Sequence, residues 1–269
     1  MSASDTAFAG SVPALYDLYL RPMLFAPYAE DMAKRAAATG ARRILETAAG
    51  TGVVTGALAA RLPDAEVIAT DLNQPMLDVA AARIGAPRVR FRQADALALP
   101  FADAGFDALI CQFGAMFFPD RVRAFGEARR VLRPGGAFLF SVWDRIEENP
   151  VTRIAAATVA SLFPGDPPDF FERVPFACHD TARIAAELRA AGFAGIRIET
   201  VAKRSRIGSA REAALGLCQG TPLRSEIEER DPERLAEATE AAAAALARAL
   251  GPGPIDAPMS AHVVLATQA

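Results

Sequence analysis

The chain has 269 residues, 52% of them hydrophobic and 23% charged, with a formal net charge of −3. That length and apolar fraction suffice for one large α/β domain with decorations. The slightly acidic balance argues against a dedicated nucleic-acid or anionic-membrane binder, which would carry a basic stripe. No apolar run reaches the roughly 18 residues that span a bilayer, and the first residues lack the basic-then-apolar pattern of a secretory signal. Cys111, Cys178 and Cys218 are scattered and make neither a zinc spacing nor a disulfide framework. The expectation is a cytoplasmic protein with no metal site.

Residues 1–40 precede the sheet and are expected to be helical, with breaks at Pro22 and Pro27. From Ala41 to Trp143 short β-rich runs alternate with helical ones. Ile44-Leu45 is the first strand, and Gly52 to Leu62 the first helix, ended by Pro63. Val67 to Asp71 is the second strand, followed by a helix that Pro75 opens at its first turn. Val89 to Phe91 is the third, and Phe106 to Gln112 the fourth, an apolar run of the kind buried in a parallel sheet. Val122, Phe125, Ala128 and Val131 recur at helical spacing, and Arg133-Pro134-Gly135-Gly136 stops that helix before a fifth strand, Ala137 to Val142. Further on, Pro150 to Leu162 reads as helical and Pro164 to Pro168 as a loop. Asp180 caps a helix through Ala191, and Ile196 to Arg206 alternates as a strand. Ser225 to Leu250 is helical with a break at Pro232, and Ala261 to Thr267 is the closing strand. Seven strands in this alternation predict an α/β, doubly wound, mostly parallel sheet with right-handed crossovers. We divide the chain into an N-terminal helical lid (1–40), a cofactor-binding core (41–143) and the rest of the same domain (144–269), with helical insertions and the last two strands.

The chemistry concentrates where the first strand ends. Gly50 and Gly52 let the backbone approach a ligand, and the helix that follows presents free N–H groups and the positive end of its dipole. Asp71, nineteen residues after Gly52, closes the second strand, where a carboxylate can accept the hydroxyls of a ribose. A dinucleotide fingerprint wants a third glycine three residues after Gly52; here that position is Thr55. Glu46, at the end of the first strand, would repel a pyrophosphate but favour an ammonium or a sulfonium-bearing amino acid. The crevice is therefore expected to hold a cationic nucleoside.

Glu46-Thr-Ala48-Ala-Gly50-Thr-Gly52 resembles the glycine-rich motif of class I S-adenosylmethionine-dependent methyltransferases, of the ubiquinone/menaquinone-biosynthesis group. The resemblance extends to Asp71 with Met76, to Gln93-Ala94-Asp95-Ala96 with Leu99-Pro100-Phe101, to Phe106 through Phe113, and to Val131 through Gly136. It covers residues 40–143 and implies a Rossmann-like fold. Ala48 departs from it, since the family usually has glycine there. By this resemblance Glu46 lies near the cofactor's amino end, with Ala48, Gly50 and Gly52 lining it. Asp71 holds the ribose, Leu72 and Met76 flank the adenine, Asp95 accepts from its amine, and Ala96 offers an N–H. Gln112 and Phe113 face the methionine part. The implied activity moves a methyl group from S-adenosyl-L-methionine to an oxygen, nitrogen or carbon of a small-molecule acceptor, leaving S-adenosyl-L-homocysteine. The competing readings are a nicotinamide-dependent oxidoreductase and a catalytically silent nucleoside-binding subunit.

No catalytic acid or base stands out. Tyr16, Tyr19 and Arg21, with Tyr28, Phe8 and Phe25, are candidates for a lid over the acceptor, and Phe113 and Met116 to Phe118, Phe117 among them, for a pocket wall. His179 and His262 have no local partner motif, although either could serve as a base. The clusters Arg197, Lys203, Arg204, Arg206 and Glu226, Glu228, Glu229, Glu233 read as solvated faces. The chain is expected to act as a monomer or homodimer, without nucleic acid.

Overall fold

The computed structural model describes Asp5 and residues 10–268, which divide into two compact units. One comprises residues 28–142, 178–201 and 261–268 and is built on the sheet; the other comprises Asp5 with residues 10–27, 143–177 and 202–260 and is mainly helical.

The strands are β1 (Arg43–Glu46), β2 (Glu66–Asp71), β3 (Val89–Gln93), β4 (Phe106–Gln112), β5 (Leu132–Trp143), β6 (Gly195–Ile207) and β7 (Ile255–Thr267). They lie in the order β3-β2-β1-β4-β5-β7-β6. β3 through β5 run parallel, and the sheet closes on one antiparallel hairpin. β1 is an interior strand, with Ile44, Leu45 and Glu46 all buried, as expected of a parallel strand covered on both faces. Ile44, Val67, Ala108, Ile110 and Leu139 pack with Met32, Ala36, Val54 and Leu58 from the helices Ala26–Ala38 and Val53–Arg61. On β3, an edge strand in this sheet order, Arg90 and Arg92 are exposed while Val89 and Phe91 are half-buried; charged side chains there discourage pairing with another chain. The chain leaves β1 for β2 and β3, then returns to β4 on the other side of β1. That reversal opens a crevice at the carboxyl end of β1.

One expectation about turns needs correction in this unit. The Arg133–Gly136 stretch does not follow a helix as a free turn; it lies inside β5. Phe106 pairs with Leu132 and Ala108 with Ala137, so residues 133–136 bulge opposite Asp107. Asp107 holds the bulge, pairing with Arg133 at 2.9 Å and accepting the N–H groups of Arg42 and Arg43. A Cβ on Gly136 would fall 2.8 Å from the Arg133 carbonyl, which is why glycine sits there. Within the preceding helix, Arg121–Val131, residues Phe125, Ala128 and Val131 are buried but Val122 is exposed.

In the helical unit, neither Pro22 nor Pro27 breaks a helix. Val12–Leu15 is α-helical, Tyr16–Phe25 is π-helical around Pro22, and Pro27 is the second residue of Ala26–Ala38. The Ala26 N–H reaches five residues back to the Arg21 carbonyl. This wider winding makes room for a ring that would clash with the carbonyl four residues back and that has no N–H to donate. Leu235–Leu250 packs on Ala210–Gln219 and Pro150–Ser161 through small residues, among them Ala155, Ala213, Ala238 and Ala242. A Cβ on Gly216 would come within 2.9 Å of Tyr19 Cβ, so glycine sets how closely the π-helical segment approaches. Helix Ala210–Gln219 was not among the expected elements, yet Ser209 and Glu212 stand in capping-box spacing and the Ser209 hydroxyl accepts the Glu212 N–H. The break at Pro232 is real: Leu223–Arg230 ends before it.

Glu226 is not on a solvated face. It is buried, accepts the N–H groups of Asp169 and Phe170 at 3.0 and 3.1 Å, and pairs with Arg173 at 2.5 Å. Arg173 also makes a two-pronged pair with Asp5 at 2.8 Å. The carboxylate thus satisfies free N–H groups at the start of Phe170–Arg173.

Candidate active site

The turn leaving β1 is fastened to both neighbouring strands. Thr47 donates its N–H to Ile110 of β4, and Ala49 donates to Thr70 of β2, each at 2.9 Å. The Gly50 N–H donates to Asp71 Oδ2 at 2.8 Å, and Arg83 donates to the Thr51 carbonyl at 2.6 Å. Ala48, Gly50 and Gly52 all have positive φ, at 52°, 55° and 76°. The two glycines serve different ends. A Cβ on Gly52 would meet Ile84 Cδ1 at 2.7 Å and Ala80 Cβ at 2.9 Å, whereas at Gly50 the nearest atom is Met76 Cε at 3.5 Å. Gly52 permits packing against the helix Gln74–Arg83, and Gly50 leaves the turn open.

Ala48 holds a conformation that glycine adopts without strain and that costs an alanine about 1 kcal/mol. Its methyl group fits because residue 114, after β4, has none. A Cβ on Gly114 would collide with the Ala48 Cβ and come within 2.9 Å of Cys111 Sγ.

Glu46 is buried, and its Oε2 accepts the Thr55 hydroxyl at 2.6 Å. The two positions that set this turn apart from a dinucleotide site are therefore bonded to each other. Burial pushes the Glu46 carboxyl up to about 8; the Thr55 hydrogen bond opposes that shift, and the nearby Asp71 charge adds to it. Asp71 is also buried and raised by its burial, against the N–H groups of Asn73 and Gly50 that stabilise its charged form.

On the outer strands, Leu72 is exposed and Met76 buried. The Gln93 amide donates to the Leu72 carbonyl at 2.8 Å, joining the ends of β2 and β3. Asp95 is exposed and accepts the Leu97 N–H at 2.8 Å; Ala96 is half-buried. The following loop is clamped from the helix Arg121–Val131. Glu127 accepts the Leu99 N–H at 2.8 Å, while Arg130 donates to the Leu99 and Phe101 carbonyls at 2.9 and 2.7 Å and pairs with Glu127 at 2.7 Å. Beyond β4, Gln112 is half-buried. Phe113 has φ of 53°, donates its N–H to the Ser141 carbonyl of β5 at 3.0 Å, and meets the buried Tyr28 ring edge-on at 5.3 Å. Phe117 is half-buried, at the end of a single turn, Ala115–Phe117.

Glu46, Ala48, Gly50, Gly52, Asp71, Leu72, Met76, Gln112 and Phe113 thus share the carboxyl edge of three adjacent strands, and Asp95 and Ala96 follow the next one. Tyr16, Tyr19 and Arg21 belong to the helical unit, where Tyr16 stacks on Phe25 at 4.9 Å and Arg21 pairs with Asp17 at 3.1 Å. Phe8 lies outside the described residues. His262 is buried in β7 with Nδ1 3.0 Å from the Thr200 hydroxyl, and His179 is half-buried just before the Asp180 cap. Gly114, Ser141 and the Glu127–Arg130 clamp support this edge without having been read from the sequence, because their parts meet only across elements. Among the described residues, no cluster of His, Cys, Asp and Glu could hold a metal ion, and no helix is long and apolar enough to cross a membrane.

Two outcomes follow from this geometry. Gly114→Ala should destabilise the protein by about 1–3 kcal/mol through overpacking, and adding Ala48→Gly should recover part of that loss. Urea denaturation of both singles and the double would show it, and strictly additive effects would exclude the proposed contact. The Glu46 carboxyl, raised from 4.5 to about 8 in the folded chain, stays protonated there after the unfolded chain has ionised. Its contribution to stability is complete below pH 4.5 and is lost as pH rises towards 8. Thermal melts across that window should fall less steeply for Glu46→Gln than for the parent; equal slopes would refute the assignment.

The comparisons with known proteins fall on the same residues. The methyltransferase domain family matches residues 44–136. Demethylmenaquinone methyltransferase of Thermus thermophilus is 48% identical over 97 residues, covering 35% of this chain and 44% of that protein. The ubiquinone/menaquinone biosynthesis C-methyltransferase UbiE of Methylobacterium nodulans is 38% identical over 126 residues, 45% of this chain and 50% of that protein. The chain thus spans about half the length of these relatives. Among solved structures, Haemonchus contortus phosphoethanolamine N-methyltransferase 2 in complex with S-adenosyl-L-methionine aligns with a TM-score of 0.63 at 17% identity, covering 100% of this chain and 60% of that one, a likeness of fold. With the sheet order, the glycine turn and the two acids in place, residues 44–136 are similar to the methyltransferase domain family.

Proposed function

We propose that the protein transfers a methyl group from S-adenosyl-L-methionine to a small-molecule acceptor and releases S-adenosyl-L-homocysteine. The observation that carries this reading is the Glu46–Thr55 hydrogen bond at the mouth of the glycine turn. It places a carboxyl where a pyrophosphate would need a clear approach, and a side chain where dinucleotide sites want glycine.

The residues fit this cofactor. Glu46 is a buried acid with no Lys or Arg partner among the described residues, suited to a cationic ligand. The turn is open at Gly50 and packed at Gly52. In this reading Glu46, Ala48, Gly50 and Gly52 bind the amino-acid end, Asp71 the ribose, and Leu72 and Met76 the adenine faces. Asp95 and the Ala96 N–H bind the adenine edge, and Gln112 and Phe113 border the methionine part. The cofactor supplies a methyl group already activated on a sulfonium, which leaves by in-line displacement to an acceptor oxygen, nitrogen or carbon. The chain's task is then alignment and exclusion of water, effects that together supply on the order of 7–11 kcal/mol in well-oriented reactions. This accounts for a site with a developed nucleoside cradle and no evident acid–base pair. We further place the protein in the cytoplasm, as a monomer or homodimer acting without nucleic acid, in keeping with its net charge of −3.

Calorimetric titration with S-adenosyl-L-methionine and with NADH tests the cofactor. Binding of the former alone is expected, and binding of NADH alone would overturn the reading. Incubation with an acceptor panel, beginning with the demethylmenaquinone named for the Thermus relative, should yield S-adenosyl-L-homocysteine. Binding without product from any acceptor would favour a silent subunit. Asp71→Asn keeps the shape of the side chain but removes its charge, and should weaken cofactor binding by about 1.5 kcal/mol, roughly tenfold. An unchanged dissociation constant would remove Asp71 from the ribose site.

A further inference from the structure

Glu46 is poised between two charge states. The residue is 2% exposed, and its carboxyl takes hydrogen bonds from the Thr55 hydroxyl, at 2.6 Å, and from the Thr55 N–H. No Lys, Arg or His among the described residues pairs with it. The titratable groups that act on it are Asp71 of β2, whose charge opposes its ionisation, and Cys111 of β4, a thiol that burial pushes up to about 12 and keeps neutral. From the helix it faces the uncharged Thr55. A carboxylate in such surroundings is disfavoured by desolvation and by a like charge, and both penalties are reversed by a cation brought close. The protein's own groups therefore favour the protonated acid at neutral pH, with the carboxyl held at about 8.

We propose that Glu46 and Thr55 form a charge-selective subsite in which arrival of the ammonium of the cofactor's zwitterionic amino-acid end expels a proton from Glu46, with Thr55 as the positioning residue that aims the carboxyl. This rests on the methyltransferase reading above. The O–H bond of the acid breaks, the proton passes to solvent, and the carboxylate keeps the electron pair while still accepting the Thr55 hydroxyl. The ligand is unchanged covalently. Selectivity follows: a neutral nucleoside gives Glu46 no reason to ionise, and a dianionic one would oppose it. Below pH 8 the affinity for a ligand that brings this ammonium should rise with pH, by up to about tenfold per unit.

The test is calorimetry of S-adenosyl-L-homocysteine, whose amino-acid end carries the ammonium, in buffers of different ionisation enthalpy. Adenosine serves as the neutral control. At pH 7 the wild-type protein should release about one more proton per ligand than Glu46→Gln; the ligand's own amino group titrates in both and cancels. Adenosine should release none. Thr55→Val removes the hydroxyl that favours the carboxylate, so proton release should persist to higher pH than in wild type, and Thr55→Ser should restore the wild-type profile. A purely structural role for Thr55 would change affinity without moving that profile. Infrared difference spectra of the wild-type protein, which need no variant, should lose a protonated-carboxyl band on binding. Binding with equal proton counts in wild type and Glu46→Gln, or with no change in that band, overturns the proposal and leaves the cofactor assignment standing. Absence of binding by both S-adenosyl-L-methionine and S-adenosyl-L-homocysteine overturns both.

Discussion

A carboxyl group buried at the end of an interior strand is expensive unless its surroundings answer it, and here Thr55 answers it with its hydroxyl and its N–H. The Glu46–Thr55 hydrogen bond ties the last residue of β1 to the first turn of the helix Val53–Arg61, across the glycine turn that joins them. The helix start, the open side of the turn and the electrostatic character of the crevice all depend on that link. A glycine at 55 would let the helix sit closer to the sheet but would take from the acid the hydroxyl that donates to it at 2.6 Å. The chain has kept the acid and given up the closer packing, which is the choice a site for a cation requires and a pyrophosphate site does not.

The rest of the sheet edge is organised to hold this arrangement still. Asp71 accepts from Gly50 and Asn73 with its two oxygens, and the backbone of the turn bonds to β4 on one side and β2 on the other. The loop that follows β3 is exposed at Asp95 but anchored at Leu99 and Phe101 by Glu127 and Arg130. Glu127 and Arg130 hold that loop from a separate helix, Arg121–Val131, and a site that works by alignment needs such support. Ala48 belongs to the same pattern: an alanine in a glycine conformation is tolerated because Gly114, from a different strand end, vacates the space.

Much of this was legible from local pattern. Parallel strands declare themselves as apolar runs such as Phe106 to Gln112, helix ends as Asp180 and Gly192, and the nucleoside crevice as an acid and two glycines between strand and helix. Misreadings arose where a local signal has more than one structural use. Arg133-Pro134-Gly135-Gly136 has the composition of a helix stop, yet it serves as a bulge held by Asp107. Pro22 looks like a break, yet π-helical winding accommodates it. Glu226 stands among other acids in a charged helix, and nothing in its neighbours says that this carboxylate meets the bare N–H groups of Asp169 and Phe170.

The sequence by itself determined the order of the strands and of most helices, the glycine turn and the chemical types gathered at its edge, because each is written within a few consecutive residues as periodicity, backbone freedom or charge. Only the tertiary structure decided that the acid and the threonine nine residues on are partners, that Gly114 makes room for Ala48, and that Arg130 clamps the loop bearing Asp95. Those are distances between segments, set by how the sheet is threaded, and a protonation state depends on all the groups that fold around it.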